Sequence, residues 1–297
     1  MKAIVTGANG FLGSNLVKKL INNGVGVLAI DISFENCKLP YSSLIDKRTM
    51  SIEQIDNLIF FCDKGEYELF YHFAWAGVNG PDKGNIDTQT KNIEMTLKCA
   101  EIANKLRCNK FLCSGTIAER NIESLSTISA FSPSIIYGLA KHIAHCLLDS
   151  FCKDHGQNYV WMQFSNIFGP NNKTGNLISY TINQLRKGEI ASFGPAQQPY
   201  DFIYINDLID AVYKLGINET NDSFYFIGSG TPMILSKYLT IVGKLFGRPD
   251  LIKIGDRDDD GIAYSFDMFN NESLVKEIGN YVTDSFENLI KYTIQNY

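Results

Sequence analysis

Two groups of residues in the chain have the types and spacing that chemistry on a small molecule needs. The first is Tyr137-Gly138-Leu139-Ala140-Lys141. Four residues is about one helical turn, so phenol and ammonium share a helix face. A tyrosine with an ordinary pKa of about 10 is a poor proton shuttle at neutral pH, and a cation close by lowers that value. The second group is Thr6-Gly7-Ala8-Asn9-Gly10-Phe11-Leu12-Gly13. Gly7 permits a tight turn, Gly10 lets backbone approach a pyrophosphate, and Gly13 lets the next helix pack on the preceding strand. Phosphates would then rest on N–H donors at the positive end of that helix. The first step of the spacing is one residue longer than the common dinucleotide fingerprint. A strand, Val27-Leu28-Ala29-Ile30, ends in Asp31, 18 residues past Gly13. A carboxylate there accepts the adenosine ribose hydroxyls and repels a 2′-phosphate, favouring NAD over NADP. Its plainer role is a turn or cap residue.

These groups need elements to hold them. Ala3-Ile4-Val5 reads as a buried strand, Gly13 to Asn22 as a helix, Val25 to Ile30 as a strand and Leu69 to Phe73 as another. Ile93, Leu97, Ile102 and Leu106 space an amphipathic helix over 88–106. Lys110 to Cys113 is a short strand ending in Ser114-Gly115-Thr116, followed by a helix from Ile136 to Lys153 and a strand from Asn158 to Phe164. Strands alternating with helices of this length imply βαβ units and a parallel sheet covered on both faces. The turn-rich Phe168-Gly169-Pro170-Asn171-Asn172 marks a boundary. Beyond it come a helix over 175–187, a turn at Gly194-Pro195, a strand from Asp201 to Ile205 and a helix from Asn206. The expected division is a cofactor domain over 1–170 and a smaller α/β substrate cap over 171–297, some of whose strands and helices return to the first domain.

Composition narrows the function classes. The 297 residues carry 27 Lys and Arg against 32 Asp and Glu, a net charge of −5, with 45% apolar and 20% charged residues. That is an ordinary globular balance, and its acidity argues against nucleic acid or a membrane surface as partner. No apolar run approaches the roughly 18–20 residues of a membrane span. Three apolar residues before the glycine loop are too few for a signal peptide. The seven cysteines form no Cys-x-x-Cys pair, so they read as thiols in a reducing cytosol rather than disulfides or metal ligands. His142 and His145 share a helix face without a carboxylate pair, and no metal site is expected. The acidic run Asp256 to Gly261 lacks calcium-loop spacing and reads as a solvated loop.

With these motifs in order, the chain resembles the extended short-chain dehydrogenase/reductases, in the NAD-dependent nucleotide-sugar epimerase/dehydratase/reductase group. The resemblance also rests on His72-Phe73-Ala74-Trp75 at a strand end, Thr90-Lys91-Asn92-Ile93, Asn166-Ile167-Phe168-Gly169-Pro170 and Asp201-Phe202-Ile203-Tyr204-Ile205-Asn206-Asp207. It implies a Rossmann-type doubly wound parallel sheet with a smaller C-terminal substrate-binding domain. It further implies Thr116 bonded to the reacting sugar oxygen, Tyr137 as acid/base, and Lys141 holding the nicotinamide ribose. Cofactor contacts are implied for Gly7, Asn9, Gly10, Phe11, Leu12 and Gly13, for Asp31 and Ile32, and for Phe73, Ala74, Trp75, Asn92 and Ile167. Substrate contacts are implied for Trp75, Thr116, Asn166, Leu177, Phe193, Tyr200 and Lys253. The plainer readings are Trp75 as a core aromatic and Asn166 as a partner for buried backbone.

Departures from the family sort its chemistries. Ile117-Ala118 follow Thr116, where dehydratases carry an acidic pair or a Ser/Glu, so dehydration is disfavoured. Gln163, Tyr200 and Lys253 stand where the family places arginines for the diphosphate, leaving Lys173, Arg186 and Arg257 as replacements. Thr49-Met50-Ser51-Ile52, the third strand region, lacks the usual adenine-contacting aspartate. The expected activity is reduction of the C4 ketone of a 4-keto-6-deoxy nucleoside-diphosphate sugar, in cell-surface polysaccharide synthesis. The cofactor is NAD(H), with NADP(H) possible, and the chain is expected to be a cytoplasmic homodimer paired through the helices near 88–106 and 137–153. The alternatives are a 4-epimerase and a catalytically silent NAD-binding protein, the latter opposed by the intact Thr116, Tyr137 and Lys141.

Overall fold

Strand and helix alternate from the second residue of the computed structural model, which describes residues 1–127, 132–172, 174–258 and 264–297, apart from the side chains of 123–127. The first 164 residues hold six strands: Lys2–Thr6 (β1), Gly26–Asp31 (β2), Ile45–Thr49 (β3), Leu69–His72 (β4), Lys110–Thr116 (β5) and Tyr159–Phe164 (β6). Seven shorter ones follow: Asn166–Phe168 (β7), Ala191–Phe193 (β8), Pro199–Tyr200 (β9), Phe202–Tyr204 (β10), Phe224–Ile227 (β11), Met233–Ile234 (β12) and Ile252–Ile254 (β13). The helices are Phe11–Asn22 (α1), Ile86–Lys105 (α2), Pro133–His155 (α3), Leu177–Lys187 (α4), Ile205–Ile217 (α5), Leu235–Phe246 (α6), Glu272–Ile278 (α7) and Phe286–Gln295 (α8).

Seven strands form one sheet in the order β11-β6-β5-β4-β1-β2-β3, and every neighbouring pair runs parallel. The chain runs outward from β1 in both directions, through β2 on one side and β4 on the other. The carboxyl ends of β1 and β4 therefore flank the crevice where such a sheet takes its ligand. Both faces are covered. Ala3 and Val5 join one core with Leu16 of α1 and Leu208 of α5, whereas Ile4 and Phe70 join the other with Ala103 of α2 and Ala144 of α3. That double burial is why these strands are continuous apolar runs rather than alternating ones. Outside the sheet, β10 pairs with β7, β12 with β9 and β13 with β8.

Two strands differ from the expectation. The third strand is Ile45–Thr49 rather than 49–52, and four of its five residues are exposed, so this edge strand carries no apolar signature. Phe224–Ile227 was not expected as a strand, yet it closes the sheet beside β6. The helix expected from Ile136 begins earlier. Ser132 accepts from the Ile135 amide as N-cap, Pro133 opens the first turn, and Gly156 ends the helix at φ +63°. Cys62, Cys99, Cys108, Cys113 and Cys152 are buried and Cys37 and Cys146 exposed, all as free thiols.

Candidate active site

At the switch point lies a cavity of about 740 Å³, reaching from the glycine turn to the far ends of β5 and β6. Gly7 makes the turn after β1 at φ +67°, and a Cβ there would lie 2.8 Å from the Ala74 amide nitrogen. A Cβ on Gly13 would meet the Gly7 carbonyl oxygen at 2.1 Å, so only glycine lets α1 start this close to β1. The N-cap, Gly10, has no side chain to occupy the first-turn donors of α1. This is a backbone cradle shaped for a phosphate. Gly7, Gly10, Phe11, Leu12 and Gly13 line that end of the cavity, with Asp31 and the largely exposed Ile32 beside them. The Asp31 carboxylate accepts from the Asn9 amide at 2.8 Å. Asn9 itself does not line the cavity. Its side chain donates to the Ser33 carbonyl and accepts from the Lys38 amide, which ties the loops together.

The strand-end segment after β4 forms one wall. Phe73, Ala74 and Trp75 line the cavity together with Asn92. Asn92 grips both backbone groups of Ala76, accepting from its N–H at 3.0 Å and donating to its carbonyl at 2.9 Å. The Trp75 indole donates to Gln89 at 2.9 Å and meets the Tyr137 ring edge-on at 6.2 Å. Beneath it, His72 is sealed in, hydrogen-bonded to Thr6 and Thr96. Burial and the charge of Lys141 push its imidazole down to about 3.

Thr116, Tyr137 and Lys141 converge on the cavity beside Trp75. The Lys141 ammonium donates to the Ser114 carbonyl at 2.6 Å and lies 3.6 Å from the centre of the Trp75 ring. Burial lowers its pKa to about 8, opposed by Cys113 and Glu119. The tyrosine departs from the expectation. Burial, and after it the charge of Glu119, holds the phenol above its ordinary range, and the hydrogen bond with Thr116 only partly offsets them. The lowering anticipated from the Tyr–Lys spacing is not the balance here, because the ammonium is turned to Ser114 and Trp75 and the phenol is deeply desolvated.

Asn166 and Ile167 complete the wall on the cap side. Both ends of the Asn166 amide are engaged, donating to the Asp201 carbonyl and accepting from Tyr200. The other expected substrate residues do not line the cavity. Leu177 packs into the core, Phe193 is buried against Tyr180, Tyr200 stands behind Asn166, and Lys253 is exposed on β13. The replacement cations fare no better. Arg257 donates to the Tyr180 hydroxyl and Arg186 to the Ile294 carbonyl, while Lys173 lies outside the described residues. Gln163 is buried on β6, accepting from Arg120 at 2.8 Å, so this position does not face the cavity.

Two charged residues beside the Thr116–Tyr137–Lys141 group were not expected from the sequence. Lys83, in the turn before α2, lines the cavity with its ammonium 5.2 Å from the centre of the Tyr137 ring, its pKa lowered by burial. Glu119 sits behind Thr116, only 3% exposed. Neither belongs to a motif, although a carboxylate three residues after Thr116 was visible in the sequence.

Among the described residues no group of three or more His, Cys, Asp and Glu is placed to hold a metal ion. His145 instead stacks on Trp161 at 4.7 Å, and His142 faces the Cys146 thiol. No described helix is long and apolar enough to cross a membrane.

Comparison with known proteins agrees with this geometry. The chain is 22% identical over 255 residues to the dTDP-4-dehydro-6-deoxyglucose reductase of Escherichia coli, covering 80% of each chain. It is 26% identical over 222 residues to the dTDP-6-deoxy-L-talose 4-dehydrogenase (NAD(+)) of Aggregatibacter actinomycetemcomitans, covering 70% of this chain and 77% of that one. Its fold superposes on the UDP-N-acetylglucosamine 4-epimerase of Methanobrevibacter ruminantium M1 with a TM-score of 0.82, at 22% identity, covering 99% of this chain and 97% of the other. Residues 3–228 match the profile of the NAD dependent epimerase/dehydratase family, and the chain belongs to that family.

Proposed function

We propose that the protein reduces the C4 ketone of a 4-keto-6-deoxy nucleoside-diphosphate sugar, with NADH as the preferred reductant. The observation that carries this reading is the convergence of Thr116, Tyr137 and Lys141 on one wall of the cavity whose other end is the Gly7–Gly13 cradle. The cradle, the uncapped start of α1 and the Asp31 carboxylate fit a dinucleotide's pyrophosphate and adenosine ribose.

When bound, the dinucleotide supplies a hydride to the C4 carbonyl carbon of the sugar. The chain's own residues handle the rest. Tyr137 donates its phenolic proton to the carbonyl oxygen, and a phenol held above its ordinary pKa starts the reaction in the protonated form that reduction needs. Thr116 donates a hydrogen bond to the same oxygen as negative charge develops on it. Lys141 holds the nicotinamide ribose, and its charge stabilises the tyrosinate left behind. Lys83 receives an anionic oxygen of the substrate, the part assigned above to arginines that do not reach the cavity.

A 4-epimerase is the second reading, because Asp31 suits a tightly held NAD that oxidises and re-reduces one carbon. Oxidation of NADH dependent on a 4-keto-6-deoxy sugar supports the reductase. Sugar interconversion without added nicotinamide supports the epimerase. We further assign the protein to the cytoplasm, where free thiols persist. It is assigned as a homodimer through the outer faces of α2 and α3, the latter exposing Ile143 and Leu147. Light scattering at micromolar concentration should return twice the chain mass, and a monomer would reject the pairing.

A further inference from the structure

Glu119 is a buried carboxylate that the reaction as described does not use. It lies in the helical turns Ile117–Thr127, and its carboxylate points back beneath the end of β5. One oxygen accepts from the Thr116 backbone N–H at 2.6 Å. The Trp161 indole N–H reaches both oxygens, at 3.1 and 3.3 Å. The chain makes room for this arrangement at Gly115, where a Cβ would fall 2.3 Å from the Trp161 nitrogen and 2.6 Å from the carboxylate. The Lys141 ammonium lies 5.9 Å from the centre of the Trp161 ring and 3.6 Å from that of Trp75.

A neutral amide could accept the same backbone hydrogen bond at a smaller desolvation cost. What a carboxylate adds is charge. The groups that face it and its targets are few. Lys141 comes from α3, Trp161 and Gln163 from β6, Cys113 from β5, Tyr137 from α3 and His72 from β4. His145 of α3 covers the other face of Trp161. Arg120 bonds Gln163 at 2.8 Å, and Lys83 lies 5.2 Å from the centre of the Tyr137 ring. Apart from these two cations, Lys141 and Glu119, the groups are neutral near pH 7, since burial holds the Cys113 thiol up and the His72 imidazole down.

We propose that Glu119 is a positioning residue for the reduction, fixing Thr116 through its backbone N–H and keeping Lys141 charged from the N–H edge of the Trp161 indole, whose ring Lys141 approaches. This rests on the reading that Thr116, Tyr137 and Lys141 carry the chemistry. Burial raises the Glu119 carboxyl to about 7, opposed by the Thr116 N–H and Lys141, so its charge builds up through neutrality and is full above it. That is where Lys141, brought down to about 8, begins to lose its proton. Without the carboxylate the lysine would titrate lower still.

The test uses NADH alone as probe, so it does not depend on knowing the sugar. NADH affinity is titrated by fluorescence between pH 6 and pH 9 in the parent protein, Glu119→Gln and Glu119→Asp. In the parent the affinity should fall as Lys141 deprotonates. In Glu119→Gln, which keeps an oxygen for the Thr116 N–H, the fall should move about one pH unit lower. Glu119→Asp, which keeps the charge, should stay with the parent. An unmoved fall in Glu119→Gln, or equal shifts in Gln and Asp, would overturn the proposal. Should Glu119→Gln not fold, Trp161→Phe removes one donor to the carboxylate and must shift the fall in the same direction. No shift there also overturns it. A protein that shows these shifts but reduces no keto sugar would instead refute the assigned reaction and leave the role of Glu119 standing.

Discussion

The Lys141 ammonium rests 3.6 Å from the centre of the Trp75 indole, so the cation and the ring lie in contact inside the cavity. Such a contact contributes about 0.5–2 kcal/mol, depending on how far it is desolvated. The chain has two tryptophans, and the other, Trp161, is fully buried and does not line the cavity. Binding of NADH should therefore quench the Trp75 component of the fluorescence. Trp75→Phe should remove most of that quench while leaving NADH affinity within about threefold, about 0.7 kcal/mol. An undiminished quench in Trp75→Phe would place the dinucleotide away from this wall.

Asp31 does two jobs, and its variants separate them. The carboxylate holds the Asn9 amide at 2.8 Å and also lines the cavity. Asp31→Asn keeps an oxygen for the amide but removes the charge that repels a 2′-phosphate. NADH should bind the parent at least tenfold more tightly than NADPH, about 1.4 kcal/mol, and Asp31→Asn should erase most of that gap. Equal affinities in the parent would contradict the assignment.

Lys83 lies 5.2 Å from the centre of the Tyr137 ring without belonging to the acid/base group. Its removal should therefore act on substrate binding. Lys83→Met should raise KM for the nucleotide sugar about tenfold and leave kcat within about twofold, the signature of a lost uniform binding contact. A fall in kcat at unchanged KM would move Lys83 into the catalytic machinery.

His72 sets a pH dependence of stability. Unfolded, an imidazole takes a proton at about 6.5. In the folded protein burial, helped by the charge of Lys141, delays that step to about 3. Between these values the unfolded chain binds more protons, so stability falls as the pH drops from 6.5 toward 3. The loss should amount to a few kcal/mol at the acid end of that window. Chemical denaturation at pH 7 and pH 4.5 should show the loss in the parent and a flatter profile in His72→Gln. Equal slopes would show that other groups govern the acid transition.

What the sequence makes legible follows the range of the interactions involved. The glycine turn, the strand before it and Asp31 after β2 are local arrangements, each written within about thirty residues. The Tyr137–Lys141 pair is equally local, because one helix carries both. Partners assembled across the fold were not legible. Glu119 meets Trp161 from 42 positions away, and nothing between them marks the pairing. The direction of the Lys141 ammonium depends on Ser114 and Trp75, which is why the spacing alone misjudged the Tyr137 phenol. Edge strand β3 escaped because its side chains face water and carry no apolar pattern. Lys253 stands apart from the cavity lining because β13 pairs with β8, which its motif-like position does not tell.

Tyr137 is assigned to protonate a sugar C4 oxygen while NADH reduces the carbon. Absorbance of NADH, followed with a dTDP-linked 4-keto-6-deoxy hexose in the parent and in Tyr137→Phe, tests it most directly. One NADH should be consumed per sugar reduced, and Tyr137→Phe should lower kcat by about 10²–10⁴-fold with NADH affinity nearly kept. Interconversion of UDP-glucose or UDP-N-acetylglucosamine without added NADH, and no NADH consumed with the keto sugar, would contradict it.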